Sequence, residues 1–352
     1  MNLLLLPRYG RLGSTSRLRF YQYLPHLEAH GVRVTSLPLL NDEYVRRLYA
    51  GERQSAASLA RAYARRLAAL LRARRFDLAW VEKEFLPWLP AFAPSLLRIP
   101  YAADYDDAAF HRYDQHPNPL VRRLLGGKID TVMRRAALVI AGNAYLAQHA
   151  RQAGAPRVET LPTVIDTRRY GVTPPREPGS FRVGWIGAPV TVNYLRLIQP
   201  ALERVIQPGT SLTLVGAADP LGGRVPLESR PWSESTEVAE IQRFDAGIMP
   251  LPDEPFERGK CGYKLIQYMG CGLPVVASPV GVNTRIVEHG VNGFLAGTQD
   301  EWVAALDALR RDPALRQRMG AAGRAKVEQE YSLETAAPRL LAMLEAARRR
   351  PA

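Results

Sequence analysis

Short apolar runs rich in β-branched residues alternate along this chain with longer stretches in which apolar residues recur every three or four positions. The first pattern predicts buried strands, the second amphipathic helices. In the first half the strand candidates are residues 2–6, 32–39, 76–82, 100–105, 138–142 and 158–162. Helical patterns separate most of them, and this alternation predicts parallel βαβ units. Residues 171–180 hold three prolines and two glycines and read as a linker. Beyond them the alternation restarts, with candidates at 181–186, 211–215, 246–250, 274–277 and 293–296, and a short one at 225–227. The expected architecture is α/β, with two Rossmann-like, doubly wound domains facing a cleft, at residues 1–172 and 180–335. A C-terminal helix, 336–352, is left with two positions, on its own domain or crossing back to the first.

Two helical patterns carry more than spacing. Residues 58–75 set Leu59, Ala62, Tyr63, Leu67, Leu70 and Leu71 on one face and Arg61, Arg65, Arg72 and Arg75 on the other. A basic amphipathic helix of this kind either packs on a sheet or lies on a membrane surface. Leu333, Ala336, Ala337, Leu340, Leu341 and Leu344 repeat in the same way near the end.

Composition narrows the class. The 352 residues are 47% hydrophobic, enough for two cores, and no apolar run approaches the ~20 residues of a membrane span. The apolar start, residues 1–7, is too short for a signal peptide and reads as a first strand. Only Cys261 and Cys271 are present, so neither a disulfide framework nor a CxxC metal site is expected. A cytoplasmic protein fits these features. The net charge of +13 has three readings. It is a solvated arginine-rich surface, or it attracts an anionic membrane face or anionic acceptor, or it binds nucleic acid. The arginines are scattered and no nucleic-acid motif accompanies them, so no nucleic-acid partner is expected.

In doubly wound sheets ligands bind beyond the carboxyl ends of the strands. Two glycine-bearing turns fall there: residues 8–14, with Gly10 and Gly13, and residues 184–191, with Gly187. Glycine lets such a turn approach a ligand, and the following helix start offers N–H groups to an anion. Neither turn has the GxxxxGK[ST] pattern of a P-loop, and the first lacks GxGxxG. The densest segment is 253–278, where Arg258, Lys260 and Lys264 bracket Gly259 and Gly262 at a helix start. Cations and free N–H groups together suit a diphosphate; an ordinary loop–helix–strand unit with solvated lysines is the plainer alternative.

This segment resembles the C-terminal signature of glycosyltransferase family 4, the retaining GT-B enzymes. The resemblance is carried by Phe-Asp-Ala-Gly-Ile-Met-Pro-Leu at 244–251 and by the run from Gly259 to Ala296. Looser similarity continues through residues 16–34, Asn143–Ala150 and 161–170. It implies a nucleotide-sugar donor, UDP- or GDP-linked, on the C-terminal domain and an acceptor on the N-terminal domain. It also implies retention of anomeric configuration and no metal. The acceptor class stays open among glycan, lipid-linked and small-molecule acceptors. The resemblance puts Gly262 at the glycine facing the donor, Gln267 at a ribose-binding glutamate and Gly259 at a sugar-binding glutamate, so two carboxylates are replaced. Tyr263 and Trp232 complete the expected donor set with Gly187 and Arg258. Lys260 and Lys264 would stabilise the leaving phosphate.

Asp104, Asp106 and Asp107 end the strand candidate 100–105. Asp106 falls near a histidine of the family and is assigned to the chemistry, with Asp104 and Asp107 on the acceptor side. An Asp-x-Asp metal site of the GT-A kind and a helix N-cap cluster are the alternatives. Glu84, Gly10, Gly13 and Asn143 join the acceptor side, while His111 and His116 read as surface histidines. Two other functions remain: a GT-B-fold sugar-nucleotide epimerase, and a non-catalytic homologue acting as a binding or partner subunit.

Overall fold

A computed structural model describes residues 1–172 and 179–348. Its described residues form two all-parallel six-stranded sheets. The first contains β1 (Asn2–Leu6), β2 (Arg33–Ser36), β3 (Leu78–Glu82), β4 (Tyr101–Tyr105), β5 (Leu138–Ala141) and β6 (Val158–Thr160), in the order β2-β1-β3-β4-β5-β6. The second contains β7 (Phe181–Ile186), β8 (Thr210–Val215), β9 (Leu227–Arg230), β10 (Ala246–Met249), β11 (Val275–Ala277) and β12 (Gly293–Leu295), in the order β12-β11-β10-β7-β8-β9. Strand order reverses between β1 and β3 in the first sheet and between β7 and β10 in the second. Those are the crevices where doubly wound folds take ligands.

The chain divides into two compact units. The first holds Met1–Thr163, Gly259–Cys261 and the C-terminal stretch from Ala336; the second holds Val164–Arg258 and Gly262–Thr335. The division after Thr163 falls earlier than the proline-rich linker suggests, because Ile165 bridges to Ser332 and Tyr170 is buried in the second core. The middle of that linker, residues 173–178, lies outside the described residues, as do 349–352 of the C-terminal helix. The helix Leu333–Arg348 starts in the second unit and counts with the first from Ala336 onward, where Arg339 donates to the Thr160 carbonyl at 3.0 Å.

The strands in the middle of each sheet are apolar at most positions on both faces, as covering helices require. Leu3–Leu6 are completely buried. The observed strands are mostly shorter than the apolar runs, since the residues just beyond a strand stay buried without joining the ladder. The helix expected at 58–75 runs Ala56–Leu71. Its apolar face departs from expectation at both ends of the size scale. Leu71, at the last turn, is exposed, whereas Arg66 is buried and donates to the carbonyls of Pro7 (2.7 Å) and Leu37 (3.1 Å). Those carbonyls lie just past β1 and β2, where the ladder ends; Pro7 also accepts from Leu39 N (3.0 Å), and the arginine adds a donor to both.

In the second unit, the helix Pro313–Glu330 packs on the turn before β11 through Gly320 and Gly323. A methyl group on Gly320 would land on the Gly272 backbone carbonyl, which cannot swing aside. Gly320→Ala should therefore lose about 1–3 kcal/mol to overpacking, despite the better helix propensity of alanine. Urea unfolding of the two proteins checks this.

Candidate functional site

In the first unit, the turn after β1 was expected to face an anion through its glycines and the following helix start. Four of its N–H groups are already taken up. Arg8 N donates to Glu82 Oε2 (2.8 Å), Tyr9 N to Ser16 Oγ (3.1 Å), Gly10 N to the Leu40 carbonyl (3.0 Å) and Leu12 N to Asp42 Oδ1 (2.9 Å). Gly10 and Gly13 are there for space, packed against Asp42 and Tyr9.

The carboxyl ends of β3 and β4 hold a cluster of buried charge. Lys83 sits in the left-handed region, φ 59°, just after β3. Its Nζ lies 2.8 Å from Asp106 Oδ1 and 2.7 Å from Asp107 Oδ2, and its side chain is 5% exposed. Thr15 Oγ1 donates to Asp106 Oδ2 at 2.8 Å. A left-handed lysine costs on the order of 1–3 kcal/mol and persists only where its surroundings require it. Here the required act is to turn the ammonium back onto two aspartates. Burial opposes charging Lys83, but Asp106 and Asp107 overcome it and hold the ammonium above its ordinary range. Burial likewise opposes Asp107, yet Lys83, then Arg112, hold its carboxyl below the usual range, with Lys260 adding to the effect.

Several expected acceptor-side residues prove structural. Asp104 is sealed in an ion pair with Arg19 at 2.8 Å, both side chains 1% exposed, with Trp80 Nε1 3.3 Å from its other oxygen. Glu84 is buried between Lys128 Nζ (2.5 Å) and the Tyr113 hydroxyl (2.9 Å). Glu82, Lys83 and Glu84 are thus all inside rather than solvent-facing. Asn143 caps the helix Ala144–Gln152 through Oδ1, and its Nδ2 donates to the carbonyls of Gly259 (2.9 Å) and Lys260 (3.1 Å). Gly259, expected on the donor side, packs instead against Ala108 of the first unit, and Lys260 lies with it, near Asp107. His111 is no surface histidine. Its ring bridges Asp114 (2.9 Å) and the Tyr145 hydroxyl (2.8 Å). Asp104 and Asp106, the carboxylates of the Asp-x-Asp reading, are each paired with a side-chain cation, Arg19 and Lys83.

In the second unit, five expected donor residues converge at the switch point beside β7. The turn at Gly187 is so tight that a side chain there would meet the Trp185 ring and Lys264 Cε. Lys264 Nζ lies over Trp185, 5.2 Å from the ring centroid. A side chain at Gly216 would strike the Gly187 carbonyl and Trp232. Trp232 Nε1 donates to Glu237 Oε2 (3.0 Å), and the Tyr170 hydroxyl donates to Glu237 Oε1 (2.8 Å). Tyr170 accepts from Gln267 Nε2 (2.9 Å) and lies 3.2 Å from the Tyr263 hydroxyl. Gly262, φ 64°, opens the helix Tyr263–Gly270 against Ile286 and Val282; neither the backbone angle nor the space admits another residue. Arg258 stands apart, its guanidinium 2.7 and 3.1 Å from the two oxygens of Asp253.

Sequence reasoning missed Lys83, Thr15, Tyr170 and Glu237. The run Glu82-Lys83-Glu84 was the available signal for the first, but the glutamates drew the attention. Tyr170 and Glu237 lie 97 and 30 positions from Gln267 and carry no local signal.

Residues 5–163 match the family profile described as Glycosyl transferase 4-like domain, and residues 181–312 match Glycosyl transferases group 1. A D-inositol 3-phosphate glycosyltransferase of Pseudarthrobacter chlorophenolicus is 35% identical over 102 residues, 28% of this chain and 23% of that one. A GDP-mannose-dependent monoacylated alpha-(1-6)-phosphatidylinositol monomannoside mannosyltransferase of Corynebacterium glutamicum is 28% identical over 222 residues, 54% of this chain and 56% of the other. The matches thus span about a quarter and just over half of these relatives' lengths. Among solved structures, Anabaena HepE in complex with UDP-glucose superposes with a TM-score of 0.74 at 19% identity, over 98% of this chain and 100% of that one. The fold is the GT-B fold of these neighbours.

Replacing Lys83 by methionine should leave Asp106 without its ion pair and Asp107 with the more distant Arg112 at 3.5 Å, a loss of about 1–3 kcal/mol near pH 7. The sign of the pH dependence follows from the depressed Asp107 carboxyl. In the parent its contribution is present above the unfolded value, about 3.9, and fades as pH falls through the lower folded value. In Lys83→Met the Asp107 carboxyl loses its nearest counter-charge and moves up toward the unfolded value, so that contribution shrinks and less of it is left to lose toward acid. Urea unfolding from pH 8 to pH 4 should therefore show the gap between the two proteins closing toward acid.

Proposed function

We propose that this chain, a member of glycosyltransferase family 4, transfers a glycosyl group with retention from a nucleotide-sugar donor on its second unit to a hydroxyl acceptor on its first, without a metal. The observation that carries the reading is the meeting of Gly187, Trp185, Lys264, Gly262 and Gln267 at the switch point of the second sheet. As the glycosidic bond breaks, negative charge grows on the departing diphosphate. Lys264 and the N-terminal end of the helix Tyr263–Gly270 supply fixed positive potential there. Gln267 and Tyr263 offer hydrogen-bonding groups to the ribose, and Trp232 an aromatic face to the base.

Asp106 is paired with Lys83 and oriented by Thr15. It is suited to accept a hydrogen bond from an acceptor hydroxyl, while the departing phosphate takes the proton. A sugar-nucleotide epimerase would need carboxyls free to exchange protons, and the three aspartates here are bound to cations. HepE was solved with UDP-glucose and one relative is GDP-mannose-dependent, which supports a UDP- or GDP-linked donor. The same two relatives act on an inositol phosphate and on an acylated phosphatidylinositol mannoside by their names, which favours a glycan or anionic, lipid-linked acceptor. We place the protein in the cytoplasm, at the inner face of the membrane. In support, residues 1–163 carry 24 Lys and Arg against 13 Asp and Glu, and no described helix is long and apolar enough to cross a bilayer.

Thermal unfolding with UDP, GDP and their sugar conjugates, all in EDTA, tests the donor site. A ligand at about 100 times its Kd adds about 2.7 kcal/mol, a shift of several degrees. One nucleoside diphosphate and its conjugates should give that shift; silence from every nucleotide would leave a non-catalytic scaffold as the reading. With the donor named, Lys264→Ala should lower kcat about 10²–10³-fold. The anomeric configuration of the product, followed by NMR, should match the donor's; inversion would sink the retaining mechanism.

A further inference from the structure

The first unit has a cavity that the donor chemistry does not use. It measures about 510 Å³ and is lined by Arg8, Leu40, Tyr44, Leu59, Ala60, Tyr63, Pro87 and Trp88, a volume within the range of small-molecule sites. Arg8 follows β1, and Pro87 and Trp88 follow β3. The cavity therefore opens at the carboxyl ends of the two strands between which the first sheet reverses order. Its wall is apolar and aromatic apart from one cation. Arg8 is 17% exposed, its Nε has no hydrogen-bond partner among the described residues, and the carboxylate at salt-bridge range, Glu84, stands 3.6 Å away and is already neutralised by Lys128 at 2.5 Å.

The mouth is equally unusual for a mere packing defect. Trp88 is held at φ 61°, a conformation tryptophan adopts at a cost, and its N–H donates to the Tyr113 hydroxyl at 3.1 Å. The result is a half-exposed indole at the rim rather than a buried one. Tyr63 is fixed to the Pro87 carbonyl at 2.8 Å, and Tyr44 stacks on Tyr9. The bordering helices Asp42–Tyr49 and Ala56–Leu71 expose Leu48 and Tyr49 beside Arg46, Arg61 and Arg65. Apolar walls, one under-satisfied guanidinium inside and arginines outside share one complement.

We propose that this cavity binds an anionic amphiphile, its hydrocarbon chain against Tyr44, Leu59, Tyr63 and Trp88 and its phosphate on Arg8. The proposal rests on the reading that the first unit takes the acceptor, and it narrows that acceptor to a lipid phosphate or phosphodiester. Bare sugar phosphates would lack the apolar half of the interaction, and neutral glycolipids the charged half.

Calorimetric titration of the full chain tests this with four probes below their micelle concentrations: dihexanoyl phosphatidic acid, farnesyl monophosphate, sn-glycerol 3-phosphate and octyl glucoside. At least one of the first two should bind ten or more times tighter than either of the others, and the tighter names the tail. Ala60→Trp fills the cavity from an exposed helix position, and Arg8→Gln removes the charge. Each should weaken amphiphile binding at least tenfold and leave the nucleotide-induced thermal shift unchanged. Full amphiphile affinity in a folded Ala60→Trp protein, or octyl glucoside binding as tightly as the phosphates, would overturn the assignment. Absence of the nucleotide shift in the parent would instead count against the donor site, and amphiphile binding would be judged by its own titrations.

Discussion

A single backbone angle, the left-handed φ of Lys83, organises the charge at the working end of the first sheet. A strand normally carries its side chains alternately to the two faces. Leaving β3 in the left-handed region turns the lysine sharply, and its ammonium meets the aspartates after β4 instead of water. The strain and the desolvation of three charges are both offset by the close pairing, and the pairing in turn fixes Asp106 beside Thr15. Lys83 is the shared member, and removing it breaks both pairs at once. The neighbouring Arg19–Asp104 pair and the Glu84–Lys128 pair follow the same rule, and together they let a wholly parallel, apolar sheet end in ionised groups without dissolving its own core.

The second unit solves the equivalent problem with neutral groups. Where the family resemblance leads one to expect glutamates, Gln267 donates to Tyr170, and Tyr170 in turn donates to buried Glu237. A carboxylate at 267 would sit one hydroxyl away from another buried carboxylate, and two such groups cannot both ionise cheaply. The amide removes that conflict while keeping a donor and an acceptor. The glycine at 259 has a separate cause. The backbone there packs directly on Ala108, leaving no room for a side chain, and its carbonyl serves as an acceptor for Asn143. The two departures from the family pattern are therefore both accounted for by packing and electrostatics inside their own units.

Much of the fold was legible because it rests on local periodicity. The parallel strands announce themselves as unbroken apolar runs, from Leu3–Leu6 onward, and glycines mark the turns after β7 and before the helix Tyr263–Gly270. The site was legible in part. Gly187 and Trp232 follow β7 and β9, and Gly262, Lys264 and Gln267 lie on the loop and helix between β10 and β11, next to those turns. The aspartates were visible as a group but not in their separate fates, since burial of Asp104 is decided by Arg19, 85 positions away. Arg66 and Lys83 drew no site expectation, for a shared reason. Nothing local discloses that backbone carbonyls (Pro7, Leu37) or distant carboxylates (Asp106, Asp107) receive them inside.

The first sheet's switch point thus presents two unlike environments close in the chain. After β3, Lys83 turns inward to an ion cluster, and five residues on, Trp88, also left-handed, turns outward to an apolar mouth. Both conformations are costly for residues with side chains, and both are secured by partners on neighbouring elements, Asp106 and Asp107 for the first and Tyr113 for the second. Tyr113 also bonds Glu84, which faces Arg8. The hydroxyl of one tyrosine therefore links the loop that displays the indole to the carboxylate that flanks the guanidinium. A chain selected only for stability would have little reason to keep two strained residues within one short loop; a chain that must set a polar group and an apolar surface at fixed places on a rigid sheet edge has a direct one.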